Sequence, residues 1–367
     1  MNHTLTIDFM PLAARQYHHA STIVSSVLSI FLNILLITIV NTERNATLRE
    51  YAKVLTVNAF CDLLLTIANF FIEMLPESVN GRFIIVLNGP FIHLSKTWNF
   101  FGFGFMVFSV YLAKLVIPVA LYFRYALLVR NRRPSLRDLA CLYLLPIGLA
   151  ACLAVLIALS MAIHHPGVKL PSCRNMLEHP FWTYGNRTID NCIISDPVLE
   201  NPFLLAFLLI NGSSNMTAYG LMIYFTIAIF RCLKNSEKHL SVKTLALQRQ
   251  INILLVAQFI LPVIFAYLPT TIGVACTALH IHFVGVCFLI IGPVSWLSVA
   301  NPLVTILLVK HYRRRAISIF LTRSLYAYTI GTTKTTLNTT GDINSQLRAR
   351  VNNTDARSQA LSHNHLN

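Results

Sequence analysis

Residues 130–163 read RNRRPSLRDLACLYLLPIGLAACLAVLIALSMAI, a basic segment followed by an apolar one that carries no charge after Asp138. The apolar segment, Leu139–Ile163, is long enough to cross a membrane, because a helix that rises about 1.5 Å per residue needs about 20 residues to span the hydrocarbon core. The stretch therefore predicts a membrane-spanning helix with positive charge at one end.

The same pattern recurs along the chain and predicts an all-α membrane protein, a seven-transmembrane helix bundle. Hydrophobic residues make up 55% of the chain and charged residues 12%, whereas about a quarter of the residues of a soluble domain are charged. The apolar segments, each of 21 residues or more, are Ala20–Val40, Val54–Leu75, Thr97–Tyr122, Leu139–Ile163, Phe203–Phe230, Ile251–Thr277 and His282–Val309.

The basic residues predict the orientation of these spans. Of the 29 Lys and Arg residues, 22 lie in the gaps that follow the first, third and fifth spans or in the segment after the seventh. Loops rich in Lys and Arg stay in the cytoplasm, so the N-terminus is expected outside and the C-terminus inside. Because the positive residues flank the spans, we expect them to meet membrane lipid or a cytosolic partner, and no nucleic acid.

Four regions follow from this pattern. Residues 1–19 form a short extracellular N-terminus, residues 20–309 the bundle, and residues 331–367, rich in Thr, Asn and Ser, a disordered cytoplasmic tail. Residues 310–330 fit an amphipathic basic helix on the inner leaflet, and a solvated basic flank is the alternative. No internal repeat is visible, which argues against transporters built from duplicated halves.

The outer loop between the fourth and fifth spans contains two cysteines, Cys173 and Cys192. Outside the cell they are expected to form a disulfide, with two free thiols as the alternative. Asn2 and Asn186 begin glycosylation sequons on the same side of the membrane.

Two charged residues lie inside predicted spans, Asp62 in the second and Lys114 in the third. Both are eight residues from the inner end of their span, about 12 Å deep. Charges at this depth are costly and often functional, so we expect an ion pair, or a shared water and ion site, that acts as a switch. Two independent buried charges and snorkelling of Lys114 are the alternatives. Pro118 predicts a kink beside Lys114.

Polar and aromatic residues in the outer halves of three spans are candidates for a ligand site, since ligand cavities are mostly apolar with a few polar groups. Ordinary helix packing is the alternative for most of them. The chain shows no catalytic motif, metal-ligand pattern or cofactor motif, so we expect a protein that is not an enzyme. The ligand-binding candidates are Trp98, Asn99, Phe103, Asn211, Ser214, Asn215, Tyr267 and Thr270.

Several short motifs in order resemble the nematode serpentine chemoreceptors of the Str superfamily, and class D (Srd) most closely. Span three closes on Tyr122-Phe-Arg-Tyr125, and span seven ends in Asn301-Pro followed by His311-Tyr-Arg313. The third inner loop, residues 241–250, reads SVKTLALQRQ and is similar to the family's Ser-x-Lys-Thr pattern with its later glutamines.

The resemblance implies a G-protein-coupled receptor in the plasma membrane of a sensory neuron, in its cilium, that detects a small environmental or pheromone-like ligand. It also implies a heterotrimeric G protein bound at the inner ends of the spans. The chain departs from rhodopsin-like receptors at Phe123, where an acidic residue commonly precedes the arginine. The residues expected to contact the G protein are Arg124, Tyr125, Arg231, Lys243 and Gln248.

Two other classes of protein compete with this interpretation. A ligand-gated cation channel subunit of the odorant-receptor type also crosses seven times, but its N-terminus is inside, against the charge distribution. A membrane transporter is the third alternative.

Overall fold

The computed structural model describes residues 6–7, 14–43, 46–79, 82–90, 94–164, 192–197, 200–235, 242–278, 282–283 and 286–319 of the 367. The helices are α1 (Ala14–Asn41), α2 (Ala46–Ile72), α3 (Lys96–Leu115), α4 (Ile117–Leu128), α5 (Leu136–Ala162), α6 (Pro202–Asn235), α7 (Val242–Pro262), α8 (Leu268–Ala278) and α9 (Val286–Leu308). A tenth, α10, covers Lys310–Ile319.

The predicted seven-transmembrane bundle is confirmed. Six spans are long and apolar enough to cross a membrane by themselves, and Gly292–Leu308 qualifies together with Lys310–Ile319 beyond a break at Val309. Span three consists of α3 and α4, and span six of α7, a π-helical turn at Val263–Tyr267, and α8. The ends that the basic residues assign to the cytoplasm are called inner below.

Proline explains the two interrupted spans. The third is broken at Val116, and Pro118 occupies the first turn of α4, where its missing N–H is tolerated. The π-helical turn in the sixth span follows Pro262 and precedes Pro269. The kink predicted at Pro118 coincides with the break at Val116, whereas α9 continues through Pro293 and Pro302.

The outer loops form two small sheets that the sequence analysis did not predict. Strands β2 (Met74–Val79), β3 (Arg82–Leu87) and β4 (Cys192–Ile194) make an antiparallel sheet. Strand β1 (Thr6–Ile7) pairs in parallel with β5 (His282–Phe283). Two predicted span ends are therefore wrong, because residues 74–75 and 282–283 belong to strands.

The core of the bundle lies between α2, α3, α5 and α6. Phe103 and Met106 of α3 are buried there against Leu65 of α2, Leu153 of α5 and Leu204 of α6. The many apolar side chains on the outer faces of the same helices are exposed, as expected for helices whose solvent is lipid.

Candidate functional site

Arg124 joins the inner ends of the third and sixth spans. Its Nε donates to Oδ1 of Asn252 at 3.0 Å, and its Nη2 donates to Oε1 of Gln248 at 2.8 Å and to the Gln248 carbonyl at 3.0 Å. Gln248 and Asn252 lie one turn apart on α7, so both face α4. We call Arg124, Gln248 and Asn252 the amide clasp.

The amide clasp holds a charged group without a counter-charge. Arg124 is 4% exposed, and within the described ranges no carboxylate lies within ion-pair distance of it. Hydrogen bonds to a charged group contribute about 1.5–3 kcal/mol, but removing a guanidinium from water costs several kcal/mol. Since these two terms oppose each other, loss of the amide acceptors is expected to favour an open clasp with a hydrated Arg124.

The residues predicted to contact a G protein do not form one exposed rim. Arg124 and Gln248 are buried against each other, and the Tyr125 ring is buried beside Phe225 at a centroid distance of 5.1 Å. Arg231 is exposed, and the side chain of Lys243 lies outside the described residues. Asn252 was not predicted from the sequence. An amide side chain one turn after Gln248, inside an apolar span, could have identified it as a candidate.

The expected ion pair between Asp62 and Lys114 is not formed. Asp62 accepts hydrogen bonds from Nδ2 of Asn301 at 3.1 and 3.3 Å. The Lys114 ammonium lies 4.2 Å from the centre of the Tyr111 ring, a cation–π contact within α3. The prediction failed because equal depth does not fix the direction in which a side chain leaves its helix.

Asp62 belongs instead to a chain of polar residues that joins four spans. Ser29 of α1 contacts the hydroxyl of Thr66 at 2.6 Å and donates to the Ser298 carbonyl of α9. Nearer the inner end, Gln258 of α7 donates to Thr305 of α9 at 3.2 Å. A cavity of about 10 Å³ beside Asp62 has room for about one water molecule.

Three ligand-binding candidates lie near the outer end of α3, in different environments. Trp98 is 56% exposed, whereas Asn99 and Phe103 are buried. The Asn99 amide donates to the Leu94 carbonyl at 3.5 Å, a local contact.

The remaining candidates lie on α6 and the sixth span. Asn215 donates to Oδ1 of Asn211 at 2.7 Å, and Thr270 donates to the Ala266 carbonyl. The Tyr267 ring lies 5.5 Å from that of Tyr219. Ser214 lines a cavity between α4, α5 and α6. The other seven candidates line neither that cavity, nor the one beside Asp62, nor a third at the inner ends of α4 and α5. The predicted ligand set therefore stays a prediction.

At the outer end, Glu73 connects α1 with the loop after α2. Its carboxylate contacts Nδ1 of His18 at 3.2 Å and Nδ1 of His19 at 2.7 Å, and it accepts from Nδ2 of Asn88 at 2.9 Å. Burial of Glu73 raises its pKa, but these hydrogen bonds outweigh burial and the pKa lies below its ordinary value of 4.5. We call these four residues the Glu73 cluster.

A second outer carboxylate, Asp196, connects the third strand of the sheet to α5. Asp196 is 2% exposed and lies 3.8 Å from Nη1 of Arg82 and 3.3 Å from Nδ1 of His164. Nearby, Cys192 is disulfide-bonded. Its predicted partner Cys173 and the sequons at Asn2 and Asn186 lie outside the described residues, so that pairing and glycosylation stay predictions.

No three His, Cys, Asp or Glu side chains come together as metal ligands in the described part of the chain.

Comparisons with known proteins agree on the type of fold. Residues 18–317 match the family model described as serpentine type 7TM GPCR chemoreceptor Str. The crystal structure of squid rhodopsin superposes with a TM-score of 0.59 at 11% identity and covers 89% of this chain and 92% of the rhodopsin chain. No curated protein sequence matches the chain.

Proposed function

We propose, from the premise that this chain belongs to the serpentine seven-transmembrane chemoreceptor family Str, that it detects a small environmental or pheromone-like ligand and signals through a heterotrimeric G protein. The class D resemblance of its motifs supports a place in the plasma membrane of a sensory neuron, in its cilium, and a role in olfaction.

The amide clasp is the observation that carries this proposal. It joins the third and sixth spans at the end where the basic residues cluster, which is where a cytosolic partner docks. Separation of α7 from α4 releases the Arg124 guanidinium from Gln248 and Asn252 into water. An exposed arginine beside Tyr125 and Arg231 then offers charge and hydrogen-bond donors to a G protein.

The sixth span has the parts that can transmit a ligand signal to the clasp. Its π-helical turn interrupts the regular hydrogen bonding of the helix, and such turns often mark functional sites. The Tyr219 ring of α6 lies 5.5 Å from both Phe259, before the turn, and Tyr267, within it. A ligand that moves Tyr267 or Thr270 therefore changes the packing of the segment that leads to Asn252.

The second candidate, a ligand-gated cation channel, is less well supported. The N-terminus of such a channel subunit lies inside the cell, whereas the charge distribution of this chain favours the opposite orientation.

The experiment that tests the function uses the full chain in cultured cells that carry representative Gα subunits of each class. We expect guanine-nucleotide exchange on at least one Gα, and more of it when Gln248→Leu opens the clasp. We also expect an N-terminal epitope tag to be stained without permeabilisation. Ionic current without nucleotide exchange, together with a hidden N-terminal tag, would favour the channel and refute the receptor.

A further inference from the structure

Two cavities on the side of the bundle formed by α4, α5 and α6 share a wall. The upper cavity, of about 430 Å³, extends from Leu149 and Ile210 to Tyr122. The lower cavity, of about 300 Å³, lies at the inner ends of the helices and is lined by Arg132 and Asp138. Because Tyr122 and Leu142 line both, the two cavities adjoin.

The upper cavity presents a surface that resembles hydrocarbon. Pro118 and Pro146 line it together with Ser213, Ser214 and Thr217. These three hydroxyls donate to carbonyls of their own helix at 3.1, 3.0 and 2.8 Å, so their donors are already used. A group without hydrogen-bonding needs is therefore the best match for this space.

The upper cavity opens towards the bilayer. Leu145 and Leu221 line it and are 75% and 44% exposed, and both lie within membrane spans. Its lining on α6 reaches from Ile210 to Phe225, about 22 Å along the helix. A lipid acyl chain, which the bilayer supplies at this depth, has the matching polarity and elongated shape.

The lower cavity has the opposite character. Nη2 of Arg132 lies 3.5 Å from Oδ2 of Asp138, and both side chains are well exposed. The Arg132 backbone N–H donates to the Ala126 carbonyl at 2.9 Å, and Asn131 adopts the left-handed conformation with φ of 48°. This turn holds Arg132 beneath the end of α4.

Arg132 retains the capacity to bind an anion. A guanidinium has five N–H donors, and one long contact with Asp138 uses few of them. Arg130 and Arg133 lie in the same loop and Arg137 in the first turn of α5, so positive charge exceeds the single negative charge of Asp138. Arginine binds phosphate through paired hydrogen bonds, and basic pockets on the cytoplasmic side of membrane helices bind anionic headgroups.

We propose that the two cavities form one binding site for an anionic phospholipid of the cytoplasmic leaflet, with an acyl chain in the upper cavity and the headgroup, which has a net negative charge, at Arg132. The site is independent of the chemosensory function. It also contacts the helix of the amide clasp, since Tyr122 lies on α4 two residues before Arg124.

The test uses the full-length protein in phosphatidylcholine nanodiscs that contain a trace of either phosphatidylserine or phosphatidylcholine with a photoactivatable acyl chain. After illumination, mass spectrometry locates the labelled residues. We expect phosphatidylserine to label the α5 and α6 walls of the upper cavity several-fold more than phosphatidylcholine. Equal labelling by the two lipids, or labelling spread evenly over all spans, would overturn the proposal.

Matched variants separate the two halves of the site. Leu145→Trp fills the upper cavity and should abolish the labelling, whereas Leu144→Trp, at a neighbouring exposed position that does not line it, should not. Arg132→Gln should reduce the several-fold preference for phosphatidylserine to near equality with phosphatidylcholine. Arg137→Gln, which lines neither cavity, should change that preference little. Equal effects of the two tryptophan variants, or of the two glutamine variants, would contradict the assignment of these cavities as the lipid site.

Asp138→Asn should change the phosphatidylserine labelling in the direction opposite to that expected for Arg132→Gln. Among the described residues that line the lower cavity, Asp138 alone is acidic, and in the variant an amide oxygen can still accept from the Ser135 backbone. Phosphatidylserine labelling should therefore rise. A fall would contradict the site. Thermal unfolding confirms that each variant is folded.

Excess inorganic phosphate distinguishes the two sources of a phosphate group. Phosphate alone makes no contact in the upper cavity, so we expect the labelling to persist in its presence. Loss of labelling would show a site for free phosphate and overturn the lipid proposal.

Discussion

The two ends of the bundle are held together by different chemistry. At the outer end, the carboxylates of Glu73 and Asp196 contact histidines and Arg82, and two sheets add further connections. At the inner end, the sixth span is joined to the third by the hydrogen bonds of Arg124 with two neutral amides.

This difference indicates which end moves. The outer contacts combine an arginine–carboxylate ion pair, hydrogen bonds to carboxylates and two sheets, so no single change removes them all. The inner contact depends on one buried guanidinium whose hydration competes with its bonds. The proposed signalling function therefore assigns the stable half to the outer end and the conformational change to the inner end, where the proposed G protein docks.

The largest effect is expected from opening the clasp. Replacement of Gln248 and Asn252 by leucine removes the side-chain acceptors of Arg124, which hold the closed state by about 1.5–3 kcal/mol. Basal nucleotide exchange should rise roughly ten- to hundredfold if the open state is rare in the native protein. Exchange is measured in membranes at equal receptor density.

The matched control for this change is Gln250→Leu. Gln250 lies on the same helix but accepts from the Lys310 backbone N–H and does not contact Arg124. Its basal exchange should stay near the native level. An equal rise in both variants would mean that any polar-to-apolar change in α7 activates the receptor, and that the clasp has no special part.

A smaller effect, on stability and not on signalling, is expected from Glu73→Ala. The substitution leaves His18 and Asn88 without their carboxylate partner in a buried site and should lower the free energy of unfolding by about 1–3 kcal/mol. Thermal unfolding of the purified protein measures the loss. A large rise in basal exchange in this variant would contradict the division of roles between the two ends.

The Glu73 cluster also predicts a dependence of stability on pH. The pKa of Glu73 is lower in the folded protein than its ordinary value of 4.5. Its stabilising contribution is therefore complete above that ordinary value and is lost as the pH falls through the lower, folded pKa. In acid, the unfolding temperature of Glu73→Gln should depend less on pH than that of the native protein. An identical pH dependence in the two proteins would show that Glu73 does not contribute to the acid sensitivity of stability.

The smallest effect concerns Asp62 and Lys114. Asp62 is hydrogen-bonded to Asn301, and Lys114 lies over the Tyr111 ring. In a double-mutant cycle with Asp62→Asn and Lys114→Met, the coupling between the two changes in the free energy of unfolding should therefore be under about 0.5 kcal/mol. Exchange of the two charges should not rescue either single variant. Recovery of surface expression in the exchanged protein would restore the original ion-pair hypothesis.

The sequence predicts the bundle well because each span carries its own signal. Length, lack of charge and flanking arginines are local properties, and so are the prolines at the breaks of the third and sixth spans. The outer hairpin was missed although Asn80-Gly81, a strong turn signal between β-forming residues, stands between Met74–Val79 and Arg82–Leu87.

The candidate site could be predicted only in part because its contacts join distant segments. Arg124 and Gln248 were each identified as functional, but not as partners, since they are separated by 124 residues. Asp62 was identified and given the wrong partner. Periodicity and depth indicate which residues are inside the membrane, whereas side-chain direction and helix rotation decide which of them meet.

The most direct test of the clasp is the distance between the inner ends of the third and sixth spans. Spin labels on Val129→Cys and Val242→Cys, both exposed positions, report it by double electron–electron resonance once Cys141, Cys152 and Cys232 are replaced by serine. We predict one short-distance population in the native background and a second, longer one in the variant with leucine at 248 and 252. An unchanged distribution in that variant would contradict the claim that the clasp holds the two spans together.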